Sequence, residues 1–174
     1  MPTPLPSTRL LRISEANAVL LGNWKEGVSI ESASGLAIDD LRLRAAASRW
    51  RLAVEHRRQA NIVLRLPRPI YRAATSRLYY AMYHAIRAAA YVFHGGDDHQ
   101  EHLRLPAHTP QDFPAHHQWE NALKSAREHR NRADYDPHPA SDRLFRTIAF
   151  QLKKEADELL PMTRTYLFTK GCHL

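Results

Sequence analysis

Apolar residues recur at intervals of three and four along most of this chain, and glycines and prolines fall almost entirely between those stretches. The first stretch places Ile38, Leu41, Ala45, Ser48, Leu52, Val63 and Leu66 at helical spacing, with Arg42, Arg49, Arg57, Arg58 and Arg65 mostly elsewhere. That pattern predicts an amphipathic helix with a basic outer face. The second starts just after Pro69, sets Ala74, Leu78, Ala81, Met82, Ala85, Ala89 and Val92 on one side, and ends at Gly95 and Gly96. Small alanines let a neighbouring helix approach closely. Beside that seam runs a stripe of Tyr80, Tyr83, His84, Arg87 and Tyr91. Two readings of it stay open: a buried central helix whose tyrosines find local partners, or a dimer or ligand surface.

After a loop rich in histidine and proline, a third helix is expected from near Pro114 through Trp119, Leu123, Ala126 and Arg130. Arg130 thus extends an inward apolar stripe, where an arginine is either paired with a carboxylate or aimed at an anion in a cleft. The fourth helix, capped by Ser141 or Asp142, buries Phe145, Ile148, Leu152, Ala156 and Leu159 and is expected to stop or kink near Pro161. The fold class is therefore all-α, an up-and-down four-helix bundle over 36–174. Residues 1–35 form an extension, in which Ser7 to Leu21 can make a short helix packed on the bundle behind a frayed start at Pro2, Pro4 and Pro6.

Charge narrows the partners. Lys and Arg number 25 against 18 Asp and Glu, a formal charge of +7, which favours an anionic partner such as nucleic acid. The lone cysteine, Cys172, permits no internal disulfide and reads as part of a disordered tail, which fits a reducing, cytoplasmic setting. No apolar run approaches the roughly 20 residues of a membrane span, and the opening residues lack the pattern of a secretory leader, so neither membrane insertion nor secretion is expected.

Two segments carry a resemblance. SRLYYAMYHAIRAAAYVFH, from Ser76 to His94, followed by REHRNRADYDP, resembles the HEPN family, the higher eukaryote and prokaryote nucleotide-binding helical domains. The architecture so implied covers roughly Leu36 to Leu167. The resemblance implies a helical domain that usually dimerises, often acts as a metal-independent endoribonuclease in toxin-antitoxin or defence systems, and often sits beside a minimal nucleotidyltransferase antitoxin. Active members show an arginine, then a polar residue, then a histidine about five positions after the arginine. Arg130 and Asn131 match the first two positions, whereas Tyr135 stands at the third.

Metal-free cleavage of RNA to a 2′,3′-cyclic phosphate needs a base for the 2′-hydroxyl, a donor for the phosphorane and an acid for the leaving oxygen. Arg130 suits the second task through its planar fork, with Asn131 orienting it. Tyrosine is a poor base: with an unperturbed pKa of about 10, only about one part in a thousand is phenolate at pH 7, a penalty of ~4 kcal/mol. Tyr135 could instead stack on a base while His129 or His138 moves protons, the site could work slowly, or it could have kept anion binding and lost catalysis. Arg132 could ease ionisation of Tyr135, and Asp134 could pair with Arg130 within the chain. Tyr80, Tyr83, His84 and Arg87 supply the interface or ligand surface. No cofactor is expected and no metal set is assigned: His94, His99 and His102 with Asp97 and Asp98 could in principle ligate a metal but read as a solvated loop, and His116 and His117 read as facing different ways.

Overall fold

The computed structural model describes residues 7–138 and 142–174, which form helices and loops with no strand among them. Contacts divide the chain into two compact units, 1–41 and 42–174. In the first unit the expected single helix over Ser7 to Leu21 is instead two, α1 (Ser7–Ser14) and α2 (Ala18–Ser34). Asn17 causes the break: its side chain accepts from the Leu20 backbone N–H at 2.9 Å and so starts a new helix. Gly35, at φ 67°, ends α2 in the left-handed region that glycine adopts without a Cβ penalty. The proline-rich start lies outside the described residues.

The second unit is built from α3 (Ile38–Leu64, from Arg42 onward), α4 (Tyr71–Phe93), α5 (His116–Tyr135) and α6 (Asp142–Thr169). Arg42 reaches the Val92 carbonyl and Arg49 covers the Tyr91 ring, while His56 stacks on Tyr80, so α4 returns antiparallel to α3. Arg72, at the start of α4, donates to the carbonyls of Ala133 and Asp136 at the end of α5, both at 2.7 Å. That pairing makes α5 antiparallel to α4 and satisfies carbonyls that a helix end leaves open. Tyr71 meets Phe150 and Val92 joins Leu167, so α6 runs parallel to α4. The connectivity is up and down, with α4 at the centre: Leu78, Tyr79, Met82 and Ile86 are fully buried among Trp119, Leu123, Phe145 and Leu152.

Four details differ from expectation. The buried face of α3 is Ala46, Ala47, Ala53 and Ala60, whereas Ile38, Leu52 and Leu66 are exposed, because close approach to the alanine-rich α4 selects the smallest side chains. Arg42 and Arg49 accordingly point to partners rather than to an outer basic face. The α6 helix does not stop at Pro161: the ring is exposed, and Leu159, Leu160, Thr163, Tyr166 and Leu167 are buried on the inward face and hold the helix to Thr169. Cys172 is not in a loose tail but is buried with Ala46, Ala88, Val92 and Leu167, its N–H bonded to the Leu167 carbonyl at 3.0 Å. The expected cap at Ser141 and the side chain of Asp142 lie outside the described residues.

Candidate functional site around Arg130

The two segments that carry the family resemblance meet in space. Trp119, Leu123 and Ala126 bury one stripe of α5, and Arg130, one turn further, follows it toward α4. There its Nη2 donates to the Tyr80 hydroxyl at 2.6 Å. Its Nε lies 2.8 Å from Asp134 Oδ2, off line for a hydrogen bond, which makes the contact an ion pair along one turn of α5. Nη1 donates to Asn131 Oδ1 at 3.2 Å, and the guanidinium carbon lies 5.1 Å from the centre of the Tyr135 ring. Only 17% of the Arg130 side chain is exposed. Burial opposes the charge, but Tyr80, Asp134 and Tyr135 outweigh it and hold the pKa above the ordinary arginine value.

Behind Arg130 the aromatic stripe of α4 is occupied within the chain. Tyr80 stacks on His56, which in turn stacks on His84, each at 5.3 Å between ring centres. Tyr83 donates to the Gln100 carbonyl, and Tyr79 and His102 Nδ1 share a hydrogen bond of 2.6 Å. Arg87 and Arg49 each donate to the same Asp98 oxygen at 2.8 Å. Burial works against the Asp98 carboxylate, yet the two guanidinium groups hold its pKa below the usual range. Asp98 thereby pins a loop that the sequence pattern assigns to solvent. Burial, reinforced by neighbouring cations, lowers the pKa of His84 to about 4 and also depresses those of His56 and His102. All three rings are therefore neutral bases near neutrality, and the His84 and His56 Nδ1 atoms have no partner among the described residues.

The remaining site residues are split. Tyr135 is exposed over 69% of its surface, and Asn131 and Arg132 share its exposed side of α5 at helical spacings of four and three. Arg77 is exposed on α4, next to Ser76, whose hydroxyl reaches Asp134 at 3.3 Å. His129 is partly buried, with Ser125 Oγ 3.4 Å from its Nε2, and burial lowers its pKa. His138 is exposed beyond the helix, its N–H bonded to Asp136 Oδ1 at 2.9 Å. The sequence pattern did not single out His56, which lies on the arginine-rich side of α3, nor the role of His102, which comes from the loop. Only the inward step of α5 could have pointed to them.

Comparison with protein families, with curated proteins and with solved structures finds no match to this chain. Among the described residues no helix is long and apolar enough to cross a membrane.

Proposed function

We propose that this chain is a HEPN-like helical module that binds single-stranded RNA without cleaving it. The observation that carries this reading is the division of labour around Arg130. Its guanidinium is committed to Asp134, Tyr80 and Asn131 of its own chain, while the Tyr135 ring it supports stays open to solvent. An exposed aromatic ring flanked by an amide and arginines is a stacking platform: base on aromatic stacking is worth about 1–3 kcal/mol per base and tolerates sequence. Asn131 can donate to a base or phosphate, and Arg132 and Arg77 supply the phosphate contacts. The formal charge of +7 supports the same partner class.

Catalysis is less well supported by this geometry. An arginine that stabilises a phosphorane needs open donors at the place where charge develops. Here the donors are taken up by Tyr80, Asn131 and Asp134 of the same chain, and the tyrosine at the histidine position lies on the outer face. The homodimer and the nucleotidyltransferase partner implied by the resemblance belong to the same proposal, tested by light scattering and by co-purification with the neighbouring gene product.

The test is fluorescence anisotropy with a labelled single-stranded RNA across a salt series. Tyr135→Ala should weaken binding about tenfold or more, Tyr135→Phe should not, and Arg132→Ala should lower the salt slope by about 0.7. Binding that ignores both Tyr135→Ala and salt overturns the reading. So does RNA cleavage in chelator that yields a 2′,3′-cyclic phosphate and is lost in Arg130→Ala, an outcome that would establish the nuclease instead.

A further inference from the structure

A second cluster lies at the opposite end of α4 from Tyr71, in the connection between α4 and α5. His94 caps the C-terminus of α4, His99 follows the Gly95 and Gly96 turn, and His108 closes a 3₁₀ turn over Leu105–His108. One ring nitrogen from each comes within 4.8 Å of the other two, and all three residues are half-buried. The spacing in sequence groups His94 and His99 with His102, whereas in the structure His108 is brought in by the turn and His102 leaves to join Tyr79 and Tyr83.

Several features hold the cluster together. His99 sits at φ 44°, a left-handed conformation uncommon outside glycine, and its N–H is bonded to Asp97 Oδ1 at 2.9 Å. The next residue back, Asp98, is the one clamped by Arg49 and Arg87, so the backbone that presents His99 is anchored to two helices. His94 Nε2 lies 3.1 Å from the His108 carbonyl, and His99 Nδ1 lies 3.7 Å from Asp97 Oδ1. Metal-bound imidazoles need a second hydrogen bond, to a carbonyl or a carboxylate, to fix ring orientation and tautomer; the His94 contact is of this kind, and Asp97 stands close enough to His99 to form one on a small ring movement. Beside His99, Asp97, Gln100, Glu101 and Arg104 line a hollow of about 230 Å³ that leaves room for a water or an exogenous ligand.

We propose that His94, His99 and His108 form a three-histidine site for a divalent transition ion of the zinc, cobalt or nickel class. Three imidazole nitrogens suit these ions, which take nitrogen at about 2.0–2.1 Å. Loading requires one movement. The His99 and His108 rings stack at 3.6 Å with 9° between their planes, so their in-plane lone pairs run parallel. One ring must turn about its Cβ–Cγ bond, a torsion whose energy profile is broad for histidine. That turn lets the nitrogens, already within 4.8 Å of one another, converge on the roughly 3.3 Å separation of a tetrahedral ion.

The experiment titrates tag-free, chelator-stripped full chain with Co²⁺, read by its visible d–d absorption, and with Zn²⁺ by calorimetry. One ion per chain is expected, with intense tetrahedral Co²⁺ bands displaced by Zn²⁺. Removing a ligand in His99→Asn, where asparagine tolerates the left-handed backbone, or in His108→Gln should abolish the bands. Asp97→Asn should weaken binding about 10- to 100-fold. His116 and His117, whose rings lie 3.8 Å apart at the start of α5, serve as the control, since His116→Gln with His117→Gln should change nothing. Circular dichroism of each variant separates lost ligation from lost fold. The proposal is overturned if Co²⁺ gives only weak octahedral bands, if His99→Asn binds as the unaltered chain does, or if the His116 and His117 pair accounts for the uptake.

Discussion

Replacing Arg130 by alanine separates a framework arginine from a free catalytic one. The substitution removes the hydrogen bond to Tyr80, and a bond to a charged donor is worth about 1.5–3 kcal/mol. It removes the pair with Asp134, whose carboxylate is 28% exposed, so that one-turn contact adds only about 0.3–0.5 kcal/mol. The cation–π contacts with the Tyr80 and Tyr135 rings, at 5.3 and 5.1 Å, add about 0.5–1 kcal/mol between them. Relief of the desolvation that burial imposes on the guanidinium offsets part of the sum. The net loss should be about 2–3 kcal/mol, or roughly 5–10 °C in Tm for a chain of this length. The assay is urea unfolding followed by far-UV circular dichroism, with an unchanged slope and a lower midpoint. A double-mutant cycle with Tyr80→Phe should show about 1 kcal/mol or more of coupling. An Arg130→Ala protein that unfolds at the same urea concentration as the unaltered chain would refute the reasoning, because it would mean the guanidinium contributes nothing to the fold and is free for other work.

Three further outcomes follow from the packing. Asp98→Asn leaves Arg49 and Arg87 facing each other without a counter-charge and should cost about 3 kcal/mol; an unchanged thermal midpoint would show that the loop is not pinned there. Acid should destabilise the fold through His84. Its folded pKa of about 4 lies below the unfolded 6.5, so the unfolded chain binds the extra proton between those values, and stability is full above pH 6.5 and falls as pH drops toward 4. After screening, that contribution is about 1–2 kcal/mol, and the gap between urea midpoints at pH 5 and pH 7.5 should narrow in His84→Phe, with His56, His102 and His129 sustaining the remainder; an equal gap in the variant would remove His84 as a cause. Cys172 is buried and burial raises its thiol pKa, so a disulfide reagent at pH 8 should label it only when the C-terminal segment opens, and labelling at the rate of a free thiol would place it in solvent.

The helices over 38–64, 71–93 and 116–135 and the all-α class were legible because helical periodicity is a local property: Leu78, Met82 and Ala85 share a face whatever they pack against. Pro161 shows the limit of that reasoning, since a local break signal lost to the buried residues on either side of it. In α3 the pattern chose the largest apolar side chains as the core, whereas packing chose the alanines, because the fit of two helices depends on both surfaces at once. The motif around Arg130 could be read as chemistry but not as accessibility. Whether a guanidinium meets a phosphate or a carboxylate of its own chain depends on Tyr80, fifty positions away, and on which way Asp134 turns. In the histidine set at 94, 99 and 108, sequence proximity could group the first two, and tertiary structure alone replaced His102 by His108. Its members come from a helix end, a turn and a 3₁₀ segment, and they converge only because Asp98 ties the loop to α3 and α4. Sequence spacing encodes neighbours along one element, and the meeting of separate elements is fixed by the energy of packing them together.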